Sequence, residues 1–294
     1  MSKIITEVFS KYNPLKYVQA TQVQRCFHST SSVLLSGNIK NYGKISAEAY
    51  DVWFSQKKYE DTDFFQSYIT SNGQPALEVG CGTGRLLLYY KKLGLNVEGL
   101  DYSRHMLDIC RKNAKEKEIN VTLYQQSMQD LNMPKQFRTI FVPWGSFMLV
   151  NNKLEANQAL KKFHDHLLPK GTLLIPVFNP TKHDIHTPPP NNNEWRLRRE
   201  GTRERDGALI KCWEKVVFLE KEQLEKAEYR YEVILNNQLI ETEIEHLCLR
   251  WYSQNEFVEM LGNAGFSNIK VFSGYTSKAA NEEDNALTFV ARKL

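Results

Sequence analysis

Short apolar runs and amphipathic segments alternate along the chain from about residue 76 to residue 178. The apolar runs have the length of strands and cover residues 76–79, 97–100, 121–124, 139–142 and 172–178. Between them, apolar residues recur at helical spacing, first over 84–93, then after Ser103, and then around Leu160 until Pro169-Lys170-Gly171 stops the helix. Strands that alternate with helices predict a parallel sheet covered by helices on both faces.

The alternation ends after residue 178, and segments of period two follow. Residues 187–193 read Thr-Pro-Pro-Pro-Asn-Asn-Asn and predict an exposed loop. Asp206-Gly207 is a hairpin signal, and Asn236-Asn237 separates two alternating segments. We expect Tyr229, Tyr231, Val233 and Leu235 to share one face of their strand, and Ile240, Thr242, Ile244, His246 and Cys248 to share one face of the next. This pattern predicts an antiparallel sheet of three or four strands.

The α/β pattern resumes near residue 250. Ser253 and Glu256 form a capping box ahead of a helix, and apolar runs at 269–272 and 287–291 supply two last strands. The predicted fold is therefore α/β, with a Rossmann-like seven-stranded sheet and an antiparallel β insertion after the fifth strand. We expect residues 41–186 and 250–294 to form the core, residues 187–249 to form the insertion, and residues 1–40 to be an N-terminal extension.

Composition narrows the class of protein. The 294 residues are 41% hydrophobic and 24% charged, with a net charge of +4, which is ordinary for a globular chain. No apolar run has the length of a membrane span. The basic cluster at 196–205 is interleaved with acids, which favours a solvated surface over a nucleic-acid patch. The five cysteines contain no C-x-x-C pair, so neither a disulfide framework nor a structural zinc site is expected.

The first 40 residues contain five basic residues and a single acid, Glu7. The stretch 25–32 is acid-free and rich in hydroxyl groups, which suits a mitochondrial transit segment as well as a flexible extension. We expect a cytoplasmic protein, and the alternative is a mitochondrial one.

The central motif is Glu78-Val79-Gly80-Cys81-Gly82-Thr83-Gly84-Arg85, which follows a strand and opens a helix. Glycines at such a turn let the backbone bend sharply and let a ligand approach closely. A dinucleotide fingerprint would need glycine where Arg85 stands, and no phosphate-binding G-x-x-x-x-G-K-[ST] run follows. Asp101 ends the second strand, where an acid can accept hydrogen bonds from both ribose hydroxyls or can merely cap the next helix.

At these residues the chain resembles the class I S-adenosylmethionine (SAM)-dependent methyltransferases, and the insertion and the Tyr50-Asp51 pair resemble the small-molecule subgroup. The resemblance implies SAM as cofactor and the insertion as a lid over the substrate. It implies that glycines of the motif approach the methionyl part, that Glu78 is linked to the methionyl amine, and that Asp101 binds the ribose. Many members have an aspartate where Ser127 stands near the adenine. The cofactor-binding residues implied are Tyr50, Glu78, Gly80, Cys81, Gly82, Gly84, Asp101, Tyr102, Gln126, Ser127, Met128 and Pro143.

The methyl acceptor is the open question. The run Val142-Pro143-Trp144 lacks the Asn-Pro-Pro-Tyr-like and Pro-Cys motifs of base-methylating relatives, so a small-molecule acceptor, methylated on N or O, is favoured over nucleic acid. No metal is expected, because a sulfonium is already a good leaving group. His246, expected on the inward face of the insertion toward the crevice, and Tyr252 are candidates for the base, with a packing role as the alternative for each. A SAM-binding protein without activity and a methyltransferase acting on RNA or protein remain the other hypotheses.

Overall fold

The structure is a computed structural model that describes residues 42–54, 58–180, 194–281 and 283–294. The expected extension 1–40 and the expected loop 187–193 lie outside these residues. None of the described helices is both long enough and apolar enough to cross a membrane.

The elements of the described chain follow the predicted order. The helices are α1 Lys44–Phe54, α2 Glu60–Asn72, α3 Arg85–Lys92, α4 Arg104–Glu116, α5 Lys153–His166 and α6 Gln254–Asn263. The strands are β1 Ala76–Val79, β2 Val97–Asp101, β3 Leu123–Gln125, β4 Phe137–Phe141, β5 Leu167–Phe178, β6 Arg196–Thr202, β7 Leu209–Leu219, β8 Leu224–Leu235, β9 Gln238–Arg250, β10 Ser267–Ser273 and β11 Ala286–Arg292. A short 3-10 segment, Pro143–Leu149, follows β4.

The core is a seven-stranded sheet in the order β10-β11-β5-β4-β1-β2-β3. The five strands β1 to β5 are parallel. At the β5 edge, β11 is antiparallel to β5, and β10 is antiparallel to β11. The chain moves outward from β1 to β3 and then returns to β4 on the other side of β1. This reversal opens a crevice at the carboxyl ends of β1 and β4. The predicted α/β fold with an antiparallel insertion after the fifth strand is confirmed.

Local sequence signals account for most element boundaries. Ser103 caps α4 by accepting a hydrogen bond from the Met106 amide, and Ser253 caps α6 by accepting one from the Glu256 amide, as predicted. The predicted helix stop at Pro169-Lys170-Gly171 is wrong, because α5 already ends at His166 and these residues lie inside β5. A register irregularity between β4 and β5 accommodates them.

The insertion is a four-stranded antiparallel sheet in the order β6-β7-β8-β9. Asn236 and Asn237 both have positive φ, 51° and 62°, which is the two-residue hairpin turn that matches the twist of the strands. The inward face of β8 carries Tyr229, Tyr231 and Val233, all buried as predicted. The first part of the basic stretch at 196–205 forms strand β6, whose residues are mostly exposed.

The predicted inward face of β9 is wrong. Ile244 and His246 are exposed, and Glu245 and Leu247 are buried. The reason is that the inward glutamates serve the start of α1. The Glu243 carboxylate accepts hydrogen bonds from the amides of Lys44, Ile45 and Ser46. Glu245 accepts from the Gly43 amide and from the Ser46 hydroxyl.

Helix α1 lies between the insertion sheet and the core. Its Ile45 and Ala49 belong to one hydrophobic cluster with residues of the inner face such as Ile210 and Val233. The Trp53 ring stacks on Tyr231, with centroids 6.4 Å apart. On the opposite side, the Asp51 carboxylate accepts a hydrogen bond from the Asn113 side chain of α4 at 2.9 Å. The apolar face of the insertion is therefore covered largely by α1.

Candidate functional site

The glycine loop joins β1 to α3. Gly80, Gly82 and Gly84 have φ of 78°, 54° and 91°, a region that side chains with a Cβ rarely adopt. A Cβ at Gly80 would lie 2.9 Å from the Ser146 side chain, and one at Gly84 would lie 2.6 Å from Cys110 Sγ. At Gly82 the nearest atom would be Tyr50 Cε1, at 3.8 Å. Two of the glycines thus permit close packing, whereas Gly82 leaves space above the loop.

Asp101 holds the loop from the end of β2. Its Oδ2 accepts a hydrogen bond from the Gly82 amide at 2.9 Å, and its Oδ1 accepts one from the Ser103 amide at 2.8 Å. Burial raises the pKa of this carboxyl, and the amides of Ser103 and Gly82 oppose that rise. Each carboxylate oxygen has a further lone pair. Asp101 therefore does not cap α4 itself, which was the alternative interpretation, but holds Ser103, the residue that does. Its remaining lone pairs can accept two hydroxyl groups.

Glu78 lies two residues before the first glycine and is 2% exposed. Among the residues that the structure describes, its Oε2 has no hydrogen-bond partner. Burial raises the pKa of this carboxyl well above its ordinary value, and Arg85 opposes the rise. A buried acceptor without a donor costs free energy, so this oxygen suits a cationic donor supplied by a ligand.

Arg85 stands at the first position of α3, directly after the loop. It forms a buried bidentate ion pair with Asp61 of α2. Its guanidinium lies 4.4 Å from the Trp144 ring centroid and 5.1 Å from that of Tyr59. Its Nε is buried and has no partner in the described part of the chain. Sequence reasoning used Arg85 only to exclude a dinucleotide site, although a basic residue next to a ligand loop was itself a signal.

Comparisons with known proteins agree with this geometry. The profile of a family described as "Methyltransferase domain" matches residues 76–171. A putative methyltransferase of Geobacillus sp. (strain WCH70) is 25% identical over 86% of this chain and 96% of its own length. The chain therefore carries a methyltransferase domain at residues 76–171, and its fold is similar to that of SAM-dependent methyltransferases.

Further similarities cover different shares of this methyltransferase. A dTDP-3-amino-3,6-dideoxy-alpha-D-glucopyranose N,N-dimethyltransferase of Streptomyces fradiae is 29% identical over 34% of this chain and 37% of its own length. A SAM-dependent methyltransferase of Clostridium acetobutylicum has a TM-score of 0.69, with 17% identity over 84% of this chain and 97% of that one. The sugar N-methyltransferase KedS8 of Streptoalloteichus sp. has a TM-score of 0.59, with 15% identity over 96% and 99% of the two chains.

The residues around the loop fit SAM. The methionyl end of SAM is a zwitterion, with an ammonium and a carboxylate on one carbon. Two buried polar atoms that have no partner among the described residues flank the loop, the carboxylate oxygen Glu78 Oε2 and the guanidinium nitrogen Arg85 Nε. Opposite charges at the two ends of the loop are therefore complementary to that group.

The residues after β3 are arranged as a small turn. The Gln126 amide donates to the Asp101 carbonyl at 3.2 Å, and the Gln126 side chain is held by the backbone of Asn132. Ser127 Oγ donates to Asp130 Oδ2 at 2.6 Å. An acid thus lies beside Ser127, where relatives often have an aspartate, and sequence reasoning missed Asp130 because it comes three residues later. Met128 packs against the core.

An aromatic cluster of Tyr50, Phe54, Tyr59 and Trp144 borders the loop. Trp144 lies 6.1 Å from Tyr50, 4.8 Å from Phe54 and 5.0 Å from Tyr59 between ring centroids. Trp144 has a left-handed backbone, with φ 53° and ψ 32°, which costs free energy in a bulky residue. The surrounding rings and Arg85 hold it there.

Other predicted site residues occupy varied positions. Pro143 is buried at the start of the 3-10 segment, Cys81 is 4% exposed, and the Tyr102 side chain is 67% exposed. No group of three or more metal-ligating side chains occurs among the described residues.

Neither predicted base lies against the glycine loop. His246 is exposed on the outer face of β9, so the prediction that it faces the crevice is wrong. Tyr252 is 2% exposed and packs against Phe147 and Phe257 in the core. Its hydroxyl lies 3.5 Å from the Val150 carbonyl, and burial raises its pKa. The packing alternative describes Tyr252 better than a catalytic role.

Proposed function

We propose that this methyltransferase transfers a methyl group from SAM to an amine nitrogen of a small molecule, in the crevice above the glycine loop. The observation that carries the proposal is the position of α1. Its Tyr50 ring approaches the loop at Gly82, and the insertion sheet covers its other side. A site roofed in this way suits a small acceptor better than a polymer, and it excludes water from the transferring methyl.

The cofactor residues act by binding and orientation. Glu78 holds the methionyl ammonium, Arg85 the carboxylate, and Asp101 the ribose hydroxyls. Ser127 and Asp130 lie near the adenine. SAM supplies a methyl group already activated by its sulfonium, so the protein needs to align the acceptor and keep solvent out.

Two comparisons support an amine as the acceptor. The similarity to the sugar N-methyltransferase KedS8 extends over 96% of this chain, including the insertion. The Streptomyces fradiae relative is named for N,N-dimethylation of an amino sugar. In this proposal, residues 187–249 form a lid for the acceptor and do not bind SAM.

The test is a screen with SAM labelled at the methyl group. Small primary and secondary amines, including amino sugars, are each paired with the matching alcohol. We expect labelled product and S-adenosylhomocysteine (SAH) from amines and not from their alcohol partners. Label that enters only alcohols, RNA or protein would overturn the proposal, and SAM binding without transfer to any class would favour a protein without activity.

A further inference from the structure

The inner face of the insertion sheet carries a polar cluster that the cofactor site does not use. We call it the inner polar cluster, and it consists of Arg196, Arg198, Glu214, Glu225 and Tyr229. Glu214 is 7% exposed and pairs with Arg196 at 2.5 Å and with Arg198 at 3.1 Å. Arg198 also donates a hydrogen bond to the Tyr229 hydroxyl. Four of the five members thus form ion pairs or hydrogen bonds with one another.

Glu225 is the exception. Side chains along β8 point alternately to the two faces of the sheet, so Glu225 lies on the same face as Tyr229, four residues later. In the register with β7, Tyr229 is opposite Glu214 and Glu225 is opposite Phe218. Within the described residues, its carboxylate takes part in no hydrogen bond or ion pair, and the residue keeps some accessible surface. Removal from bulk water raises its pKa to about 7, Glu214 adds to the rise, and Arg198 and Arg196 oppose it. A carboxyl that titrates near neutrality and has no structural partner is typical of a functional group.

The inner polar cluster lies on the same sheet face as residues that contact the site around the glycine loop. Arg199 follows Arg198 at the bulge in β6, and its guanidinium lies 4.6 Å from the Phe54 ring centroid. Phe54 contacts Trp144, which contacts Arg85. On the other side, Leu149 of the segment after β4 packs against the insertion. The face of the insertion that carries the cluster therefore meets the aromatic cluster through Arg199 and the segment after β4 through Leu149.

We propose that Glu225 binds the amine of the methyl acceptor and receives its proton, in a frame fixed by Arg198, Glu214 and Tyr229. This inference rests on the proposed N-methylation and names its acceptor class, a primary or secondary aliphatic amine that arrives as an ammonium ion. One proton passes from the ammonium to the Glu225 carboxylate and frees the nitrogen lone pair. The methyl group then takes the place of that proton on nitrogen, and SAH leaves with the electron pair of the broken carbon–sulfur bond.

The charge of Glu225 suits the same ligand. A carboxylate attracts an ammonium ion, and the acceptor is cationic both before proton loss and after methyl transfer. An alcohol of the same shape lacks this charge in both states. The site therefore selects for amines at the step of binding.

The experiment compares Glu225→Gln with Glu228→Gln. Glu228 lies on the same strand but on the opposite face, opposite His246, and is a matched control for loss of one carboxylate. Affinity for SAH is measured first, by calorimetry. Binding of each amine in the screen and of its alcohol partner to the SAH-saturated protein is then measured, together with the pH profile of kcat/KM for the best amine.

We expect Glu225→Gln to weaken amine binding by about tenfold or more, with SAH and alcohol binding unchanged. We also expect the rise of kcat/KM with pH to lose its component near neutrality, because the pKa of Glu225 is about 7. The other charged and titratable groups of the cluster, Arg196 and Arg198 of β6, Glu214 of β7 and Tyr229 of β8, are unchanged in this variant. Glu228→Gln should change none of these quantities.

The outcomes separate this inference from the proposed function. If the wild type methylates amines and Glu225→Gln binds them as tightly as the wild type, only the role of Glu225 is overturned. Equal losses for amines and alcohols would show a structural role for Glu225 and would overturn it as well. If the wild type binds SAH but methylates only alcohols, the proposed N-methylation fails and the amine site fails with it.

Discussion

Asp101 Oδ2 accepts a hydrogen bond from the Gly82 amide at 2.9 Å, so that the end of β2 fixes the middle of the loop after β1. The same carboxylate accepts the Ser103 amide at the start of α4. One side chain thus sets the relative positions of two strands' carboxyl ends, before any ligand binds. Its proposed contact with the ribose uses lone pairs that remain.

Replacement of Asp101 by Ala should therefore have two effects. SAM and SAH affinity should fall by about 1.5–3 kcal/mol, the usual range for hydrogen bonds to a charged group. The free energy of unfolding should also fall by about 1 kcal/mol, because the Gly82 and Ser103 amides lose their acceptor. Calorimetric titration and denaturant unfolding measure the two effects. Asp108→Ala on the exposed face of α4 is the control, and an unchanged dissociation constant for Asp101→Ala would show that Asp101 only holds these two amides.

The proposed contact between Arg85 Nε and the methionyl carboxylate predicts a preference among cofactor analogues. The wild type should bind SAH at least about tenfold more tightly than its decarboxylated analogue, as expected for a charge-assisted hydrogen bond. An Arg85→Met variant should bind both alike. Because Arg85→Met strands the buried Asp61 carboxylate, which costs about 3–5 kcal/mol, the double variant Arg85→Met/Asp61→Asn is measured beside it. Retained discrimination in the folded double variant would place the carboxylate elsewhere.

Gly82 and Gly84 should respond differently to alanine. At Gly84 the new Cβ would lie 2.6 Å from Cys110 Sγ, so the variant should lose stability through overpacking, by about 1–3 kcal/mol. Cys110→Ala should restore part of that loss. At Gly82 the Cβ meets nothing closer than 3.8 Å, so the stability cost should be only that of its positive φ, about 1 kcal/mol.

Cofactor affinity separates the two variants further. Gly82→Ala should weaken SAM binding strongly, because its Cβ projects into the space above the loop. Gly94→Ala also carries a positive φ with open space around it and controls for backbone strain. Full SAM affinity in Gly82→Ala would mean that the cofactor does not approach this glycine.

The raised pKa of Glu245 predicts that the stability of the fold depends on pH. Burial raises its pKa from 4.5 to about 7, although hydrogen bonds from Ser46 and Gly43 oppose the rise. The folded state therefore holds more protons than the unfolded state between those values, and stability falls as pH rises through that window. The full loss is at most about 3 kcal/mol. Glu245→Gln should flatten the decline in Tm between about pH 5 and pH 8, and Glu241→Gln on the same strand should not. A parallel decline in all three proteins would assign the effect to other groups.

Helix α1 predicts the outcome of N-terminal truncation. A chain that begins at Asn38 should fold and bind SAM normally, because α1 starts at Lys44. A chain that begins at Lys58 lacks α1 and should expose the apolar face of the insertion, which would appear as increased binding of a hydrophobic dye and as lost SAM affinity. Loss of affinity already in the first chain would assign a role to residues 1–37.

Periodicity predicted the core sheet because its strands are buried on both sides and its helices on one. The sequence signals for β6 and β9 were weaker. β6 is rich in charged residues that pair across the sheet, Arg196 and Arg198 with Glu214 and Glu200 with Lys211. β9 places carboxylates inward because they bind the amides of another helix. Inward and outward faces of β9 therefore could not be told apart by hydrophobicity, and His246 was assigned to the wrong face.

The candidate cofactor residues were found from the motif because glycines and acids at strand ends are local features. Arg85, Asp61 and Asp130 were missed as site residues, since their roles depend on contacts across elements. The inner polar cluster also depends on contacts between elements that are distant in sequence. Its members come from three strands, and only the register of the sheet brings Glu225 to the face that carries Arg198.

Because α1 packs against part of the inner face of the insertion and is capped by its glutamates, the two form one functional module although about 140 residues of chain separate them. Their interface combines the carboxylates of β9, the backbone of α1 and the stacked rings of Trp53 and Tyr231. A new acceptor specificity could then arise by recombination only if both segments were exchanged together. Chimeras that graft the insertion alone onto a related core should inherit its strands but leave the start of α1 without its matching caps.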